Sequence, residues 1–362
     1  MPVTLTDTTS LHPLALPARA DAADAGPFLE YAGVRNESLR DIAGRDDDVL
    51  EPRDLLPILR SNEHSTRRQW IIREQGDPIG IALLNTIEDG EATSGVVSIN
   101  LLRPVWGRGI GSAVLAHVEQ RARERGLTRL PVWNPHSGAD LERIPAPTGF
   151  GAVPADAGAR FLRAHGFSLE QVIRVSGLQL DDRRVPEIDR LRRSATDRSE
   201  GYRVVSWLLP TPDAFVEGYA RMKQRMSTDA PGADMDMPEE IWDAERLAHH
   251  DRRHLDRGRT VLVTAAQHVD SGELCAFTEL SIDATAGAIT HQEDTLVIAA
   301  HRGHRLGMLI KTSALLAWRE RRPDSASVIT YNAEENRPML SINEELGFVP
   351  VAYEGAWKKV LS

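Results

Sequence analysis

Apolar and polar positions along the chain fall into two successive sets with the same order. After a Pro/Ala-rich start, DAADAGPFLEYAGVRNESL predicts an Asp-led helix, and DDDVLEPRDLLPILRSN a loop feeding a short helix. RQWIIRE, PIGIALLNTI and GVVSINLL alternate or run apolar with turn signals between them, as meandering strands do. WGRGIGSA then leads into the helical pattern VLAHVEQRARERG, with Gly126 just past its end. A strand (TRLPVW), a Pro/Gly-rich insertion, a helix (ARFLRAHGF) and a strand (EQVIRVSGLQL) close the first set. From Tyr202 the order returns: a strand, two helices, the strands TVLVTAAQ, LCAFTELSI and AITHQEDTLVIAA, the loop HRGHRLGM with its helix, SASVITYN, NRPMLSINEELGF and a closing strand. Between the sets, DDRRVPEIDRLRRSATDRSEG is charged and poor in large apolar residues, which predicts a partly helical linker. The expected domains are therefore residues 1–180 and 201–362, joined by 181–200. A repeat of half the chain reads as duplication of a whole α/β domain, not as a solenoid.

Length agrees, since 362 residues exceed the usual single core. The only cysteine, Cys275, has no partner for an internal disulfide and reads as core. The start lacks the pattern of a secretory signal, so a cytoplasmic location is expected. No apolar run approaches a membrane span, and a net charge of -10 disfavours nucleic acid or an anionic membrane as partner. A small molecule or a protein is left as partner, with a monomer or homodimer as the expected state.

Both glycine-bearing loops sit between a strand and a helix, where the first backbone N–H groups are unpaired and point at an anion. With WGRGIG and RGHRLG in that setting, and a helix ending in Gly-Phe one strand later, both halves resemble the GCN5-related N-acetyltransferase (GNAT) family, over nearly the whole chain. The resemblance implies an α/β fold of mixed, mostly antiparallel sheets flanked by helices, repeated in tandem, with acetyl-CoA as co-substrate and no metal. The family's loop, Q/R-x-x-G-x-G/A, binds the cofactor's pyrophosphate. In the first half Trp106 replaces the Gln or Arg, while Gly109 and Gly111 match and Arg108 fills between. In the second, Arg302 and Gly307 match but Arg305 holds the middle glycine position; Gly303, His304, Leu306 and Met308 complete the loop. The resemblance further implies that the backbone of Val297, Ile298 and Ala299 pairs with the pantetheine amide and that Asn332 and Asn336 contact the cofactor arm. Asn343 stands where a Tyr usually protonates the leaving thiolate, so water, Tyr331 at the end of the preceding strand, or simple release of the thiolate has to serve instead. Glu293 and Asp294 match a Glu-Asp pair of polyamine-type members, which makes Glu293 the expected general base, with Asp294 or Glu279 as alternatives. Val97 and Ser98 occupy those positions in the first half, and Ala155 and Leu162 the Asn and Tyr positions, so the first half is expected to be non-catalytic.

Other features have plainer readings beside the functional ones. Asp234, Asp236, Glu239 and Glu240, with Trp242, Met235 and Met237, either attract a cationic acceptor or form a solvated loop and acidic helix start. His249, His250 and His254 read as a solvated helix face, not as metal ligands. Trp133, Asn134 and His136 lead into the insertion, which either lids or fills the first cleft. The function expected is acetyl or short-acyl transfer to an amine of a small molecule. The alternatives are a non-catalytic acyl-CoA-binding or regulatory protein, and a lysine acetyltransferase acting on proteins or peptides.

Overall fold

The computed structural model describes every residue except 1, 47, 89–92, 139, 230–231, 234, 236–239, 285–288 and 362. In chain order the elements are β1 (Val3–Thr4), β2 (Thr9–Pro13), α1 (Gly26–Ala43), α2 (Pro52–Leu59), β3 (Ser65–Glu74), β4 (Asp77–Ile87), β5 (Gly95–Leu101), α3 (Ile110–Glu124) and β6 (Arg129–His136). A short hairpin, β7 (Arg143–Pro145) and β8 (Ala152–Pro154), precedes α4 (Ala157–Ala164) and β9 (Ser168–Gln179). Then follow α5 (Val185–Thr196), β10 (Tyr202–Leu208), α6 (Asp213–Asp229), α7 (Ala244–Asp256), β11 (Thr260–His268), β12 (Leu274–Ile282), β13 (Thr290–Val297), α8 (Leu306–Arg321), β14 (Ser327–Ala333), α9 (Arg337–Leu346) and β15 (Val349–Val360). This is the mixed α/β architecture expected, rich in antiparallel pairing.

The chain divides into two compact units: Met1–Val172 with Ala233–Pro238 and Tyr353–Ser362, and Ile173–Gly232 with Glu239–Ala352. In the first, β1 to β5 form an antiparallel meander in sequence order. Its strands alternate as the pattern requires. Trp70, Ile72, Ala82 and Leu84 face the core that includes Val114 and Val118 of α3, while Ile71 and Ile81 face Phe28 and Tyr31 of α1. The partner of β6 is the end of the chain, Tyr353–Val360 of β15, and Trp357 from that segment is fully buried in the first unit's core.

In the second unit the sheet order is β10-β11-β12-β13-β14, followed by the Ile173–Gln179 part of β9, which pairs antiparallel with β14. Each unit is thus completed by a strand from the other half of the sequence. Both faces of β11 and β12 are covered, which is why these strands read as nearly continuous apolar runs. Leu262, Ala266, Ala276 and Leu280 pack with α8, while Val261, Val263 and Phe277 pack with Tyr219 and Met222 of α6. The charged segment read as a linker is instead α5, whose Ile188, Leu191 and Ala195 are buried in the second unit's core. Three apolar positions on one helical face suffice to dock it, and the surrounding charges masked them. The division accordingly falls at Val172/Ile173, and not at 181–200.

Candidate active site

The two loops share one backbone despite their different residues. A single 3-10 turn, Arg103–Val105 or Ala299–His301, leads from β5 or β13 into each loop. Gly107 (φ 74) corresponds to Gly303 (φ 90), and Gly109 (φ 80) to Arg305 (φ 57), each of the latter pair being the residue that starts the helix. Gly111 and Gly307 serve packing: a Cβ would lie 3.1 Å from Phe161 in one unit and 2.9 Å from Ile342 in the other. The first intrahelical bonds run from Ala113 N to Gly109 O and from Leu309 N to Arg305 O, so the amides of Ile110 to Ser112 and of Leu306 to Met308 precede them. Space above Gly107, Gly109 and Gly303 is open.

Trp106 and Arg302 do the same local job. The Trp106 indole N–H donates to Leu101 O at 2.8 Å and Arg302 Nε donates to Val297 O at 3.2 Å, each reaching the last residue of the preceding strand. Trp106 therefore preserves the loop's anchor while removing its charge. Arg302 is exposed and leaves its terminal nitrogens for an anion. Arg305 turns away from the loop and pairs with Glu345 at 2.9 Å, while Arg108 pairs with Glu74. His304 gives its carbonyl to Ser199 Oγ at 2.8 Å.

The expected acids converge on one face of the second unit's sheet. The β12·β13 register shifts between Thr278 and Leu280, so Glu293 and Asp294 together stand opposite Glu279. Such a bulge breaks the alternation of faces. Asp294 meets Lys223 of α6 at 2.7 Å, and Glu293 accepts from Ser281 Oγ at 2.6 Å and pairs with Arg259 at 3.1 Å. Glu279, 4% exposed, accepts from Lys223 at 3.1 Å and from the Tyr219 hydroxyl. Burial pushes the Glu279 carboxyl up to about 7; Lys223 opposes the shift and Asp294 adds to it. The two carboxylates hold the Lys223 ammonium above its ordinary range against the opposing effect of burial. Among the described residues of the first unit no comparable cluster stands at these positions, where the β4·β5 ladder is regular, Val97 is core and Ser98 Oγ bonds Asn100.

Sequence reading missed Lys223 and Arg259, which balance much of the negative charge. The available signal was thin: Lys223 is one of only four lysines, set inside an otherwise ordinary amphipathic helix.

β13 and β14 pair in parallel only over Thr290–Gln292 and Val328–Thr330, so their later residues are no longer joined by the ladder. Ile298 N–H is spent on Cys275 O at 3.0 Å. Of the three residues expected to meet the pantetheine amide, Val297 alone has its amide turned toward the β14 side by strand alternation. Val328 packs with α8, so alternation sends Tyr331 to the acids' face. Asn336 caps α9, accepting from Met339 N at 3.4 Å. Asn332 Oδ1 accepts from Asn343 at 2.7 Å, and the buried Oδ1 of Asn343 has no partner among the described residues.

The histidines of α7 are not a solvated face. His250, its side chain 11% exposed, bonds Asp251 at 3.1 Å and meets Trp242 and His254 edge-on. Burial pushes His250 down to about 4 and His254 to about 2. Of the acidic stretch, Asp234, Asp236, Met237 and Glu239 lie outside the described residues. Glu240 is engaged by Arg246 and Trp242, each at 2.9 Å, and Met235 is buried. In the first unit His136 is enclosed between Asp156 at 3.1 Å and the Trp357 indole at 3.1 Å, which makes it a packing residue.

Residues 36–143 match the model of the acetyltransferase (GNAT) family. No functionally curated protein matches the sequence. Among solved structures, a tandem GNAT protein from the clavulanic acid biosynthesis pathway superposes with a TM-score of 0.73 at 23% identity, over 97% of this chain and 98% of that one. A GCN5-related N-acetyltransferase from Sphaerobacter thermophilus gives 0.61 at 14% identity, over 99% and 97%. The Saccharomyces cerevisiae N-myristoyltransferase with bound myristoyl-CoA and inhibitors gives 0.60 at 10%, over 99% and 82%.

Proposed function

From a chain that carries the GNAT acyltransferase fold in tandem, with the family's sequence signature over residues 36–143, we propose N-acetylation of a small-molecule amine in the second unit. The observation that carries this reading is the β13 bulge, which brings Glu293, Asp294 and Glu279 to one face beside the point where β13 and β14 are no longer joined by the ladder. The residues present fit acetyl-CoA. The amides of Leu306 to Met308 and the Arg302 guanidinium would hold its pyrophosphate, Val297 its pantetheine amide, and the Asn343 Oδ1, without a partner among the described residues, suits a further N–H donor. Bound there, the co-substrate supplies an activated acyl thioester.

Glu293 takes the proton that the acceptor nitrogen loses as it attacks, and Tyr331 returns a proton to the departing sulfur. Lys223, paired with Glu279 and Asp294, and Arg259, paired with Glu293, orient these carboxylates. Because they also cancel charge, the acceptor this site suits is a modest amine and not a highly charged polycation. The first unit keeps an anchored loop without base or acid, and we assign it a cofactor-binding or structural role.

Steady-state kinetics over an amine panel, with calorimetry of acetyl-CoA, tests the reading. Glu293→Gln should reduce kcat by about 10²–10⁴, the usual worth of a general base, while acetyl-CoA affinity stays nearly unchanged. Absence of CoA release with every amine would favour a non-catalytic acyl-CoA binder, and equal loss of affinity and turnover would remove Glu293 from the base role.

A further inference from the structure

Away from the acid cluster, Glu273, Cys275 and His301 bring a carboxylate oxygen, a thiol sulfur and an imidazole nitrogen within 4.8 Å of one another. We propose that these three side chains form a binding site for a zinc-class divalent cation at the root of the second unit's loop. The donor set selects the metal. Thiolate with imidazole suits zinc, whereas magnesium and calcium call for oxygen ligands throughout. The separations need only side-chain adjustment to reach the roughly 3.5 Å edges of a tetrahedral zinc site.

Surroundings support the assignment. The Tyr202 oxygen lies 2.9 Å from His301 Nδ1; with Nδ1–H donating to it, the ring is oriented and Nε2 is the ligand atom, as outer partners of metal-bound histidines do. Arg221 occupies one Glu273 oxygen at 3.2 Å, so that carboxylate binds through a single atom. Cys275 is wholly buried while Glu273 and His301 are half-buried, which gives a shielded sulfur with an entry side. Three protein ligands leave a fourth position for water. On binding, the Cys275 thiol gives its proton to solvent and the sulfur–metal bond forms, with no change of oxidation state.

His301 ends the turn that delivers Arg302, so an ion here ties β12 to the entrance of the loop. This site is independent of the proposed acetyl transfer.

Tag-free protein, stripped of metal, is titrated with Co²⁺ and then Zn²⁺ and followed by absorption. The expected result is one equivalent of cobalt with a thiolate-to-metal charge-transfer band that zinc displaces. The band should vanish in Cys275→Ser, and affinity should fall at least tenfold in Glu273→Gln. If Cys275→Ser fails to fold, the half-exposed Glu273→Gln decides. No charge-transfer band in the wild type, or metal affinity unchanged in Glu273→Gln, overturns the proposal.

Discussion

At the residue scale, the two loops separate what a position's backbone requires from what its side chain supplies. Arg305 adopts φ 57, a left-handed conformation that costs an ordinary L-residue roughly 1–2 kcal/mol and glycine little. Its exposed pair with Glu345 returns about 0–1 kcal/mol. Arg305→Gly should therefore leave the thermal midpoint unchanged or raise it, and Arg305→Val should lower it, because a β-branched residue is more strained than arginine at positive φ and cannot pair with Glu345. A large loss with glycine would show that the Glu345 pair, not the backbone, holds the loop. Glu279 gives a second test. Its carboxyl is pushed up to about 7, so it loses its charge as pH falls through neutrality, and Lys223 is then left paired to Asp294 alone. The pH profile of kcat/KM should fall on the acid side near pH 7 in the wild type, and that limb should disappear in Glu279→Gln; an unchanged limb removes Glu279 from the site's electrostatics. The acids and the glycines could be picked out in the sequence through their resemblance to the GNAT pattern. Lys223 and Trp106 were not, because a lysine in an amphipathic helix and a tryptophan in place of arginine show their hydrogen bonds only after folding.

At the element scale, strand and helix types followed from periodicity, but the neighbours of polar helical residues did not. α5 shows this with Ile188, Leu191 and Ala195, whose spacing was sufficient to dock a helix while its charges suggested solvent. α7 shows it with a sharper consequence. Unfolded, its imidazoles titrate near 6.5; folded, burial holds His250 to about 4 and His254 to about 2. Between those values the unfolded chain binds protons that the folded one refuses, so this stability is complete above pH 6.5 and is lost as pH falls toward 4. The loss at pH 5 should be on the order of 1–2 kcal/mol per imidazole. Urea denaturation at pH 7 and pH 5 measures it, and His254→Gln should narrow the difference; an equal difference in that variant would show that carboxylates elsewhere cause the acid sensitivity.

For the whole molecule, the order of elements announced two α/β halves, yet not which strand completes which sheet. EQVIRVSGLQL reads as a strand beside any partner, because alternation specifies a face and not a neighbour. Its Ile173–Gln179 part pairs with β14 throughout Ser327–Ala333, and the closing segment Tyr353–Val360 pairs with β6. Cutting the chain at the sequence midpoint therefore divides both units. A fragment of residues 200–362 leaves the β14 edge open and removes Leu178, Leu180, Ile188, Leu191 and Ala195 from its core. Truncating even one large core side chain commonly costs about 2–5 kcal/mol, against a total of roughly 5–15 kcal/mol for a domain. That fragment should not fold, whereas residues 173–352, which keep these strands and α5, should show a cooperative unfolding transition. Circular dichroism with denaturant titration of both fragments checks this. A cooperative transition in the 200–362 fragment would mean that the second unit's core stands without its borrowed strand, and that the first half contributes nothing to its stability.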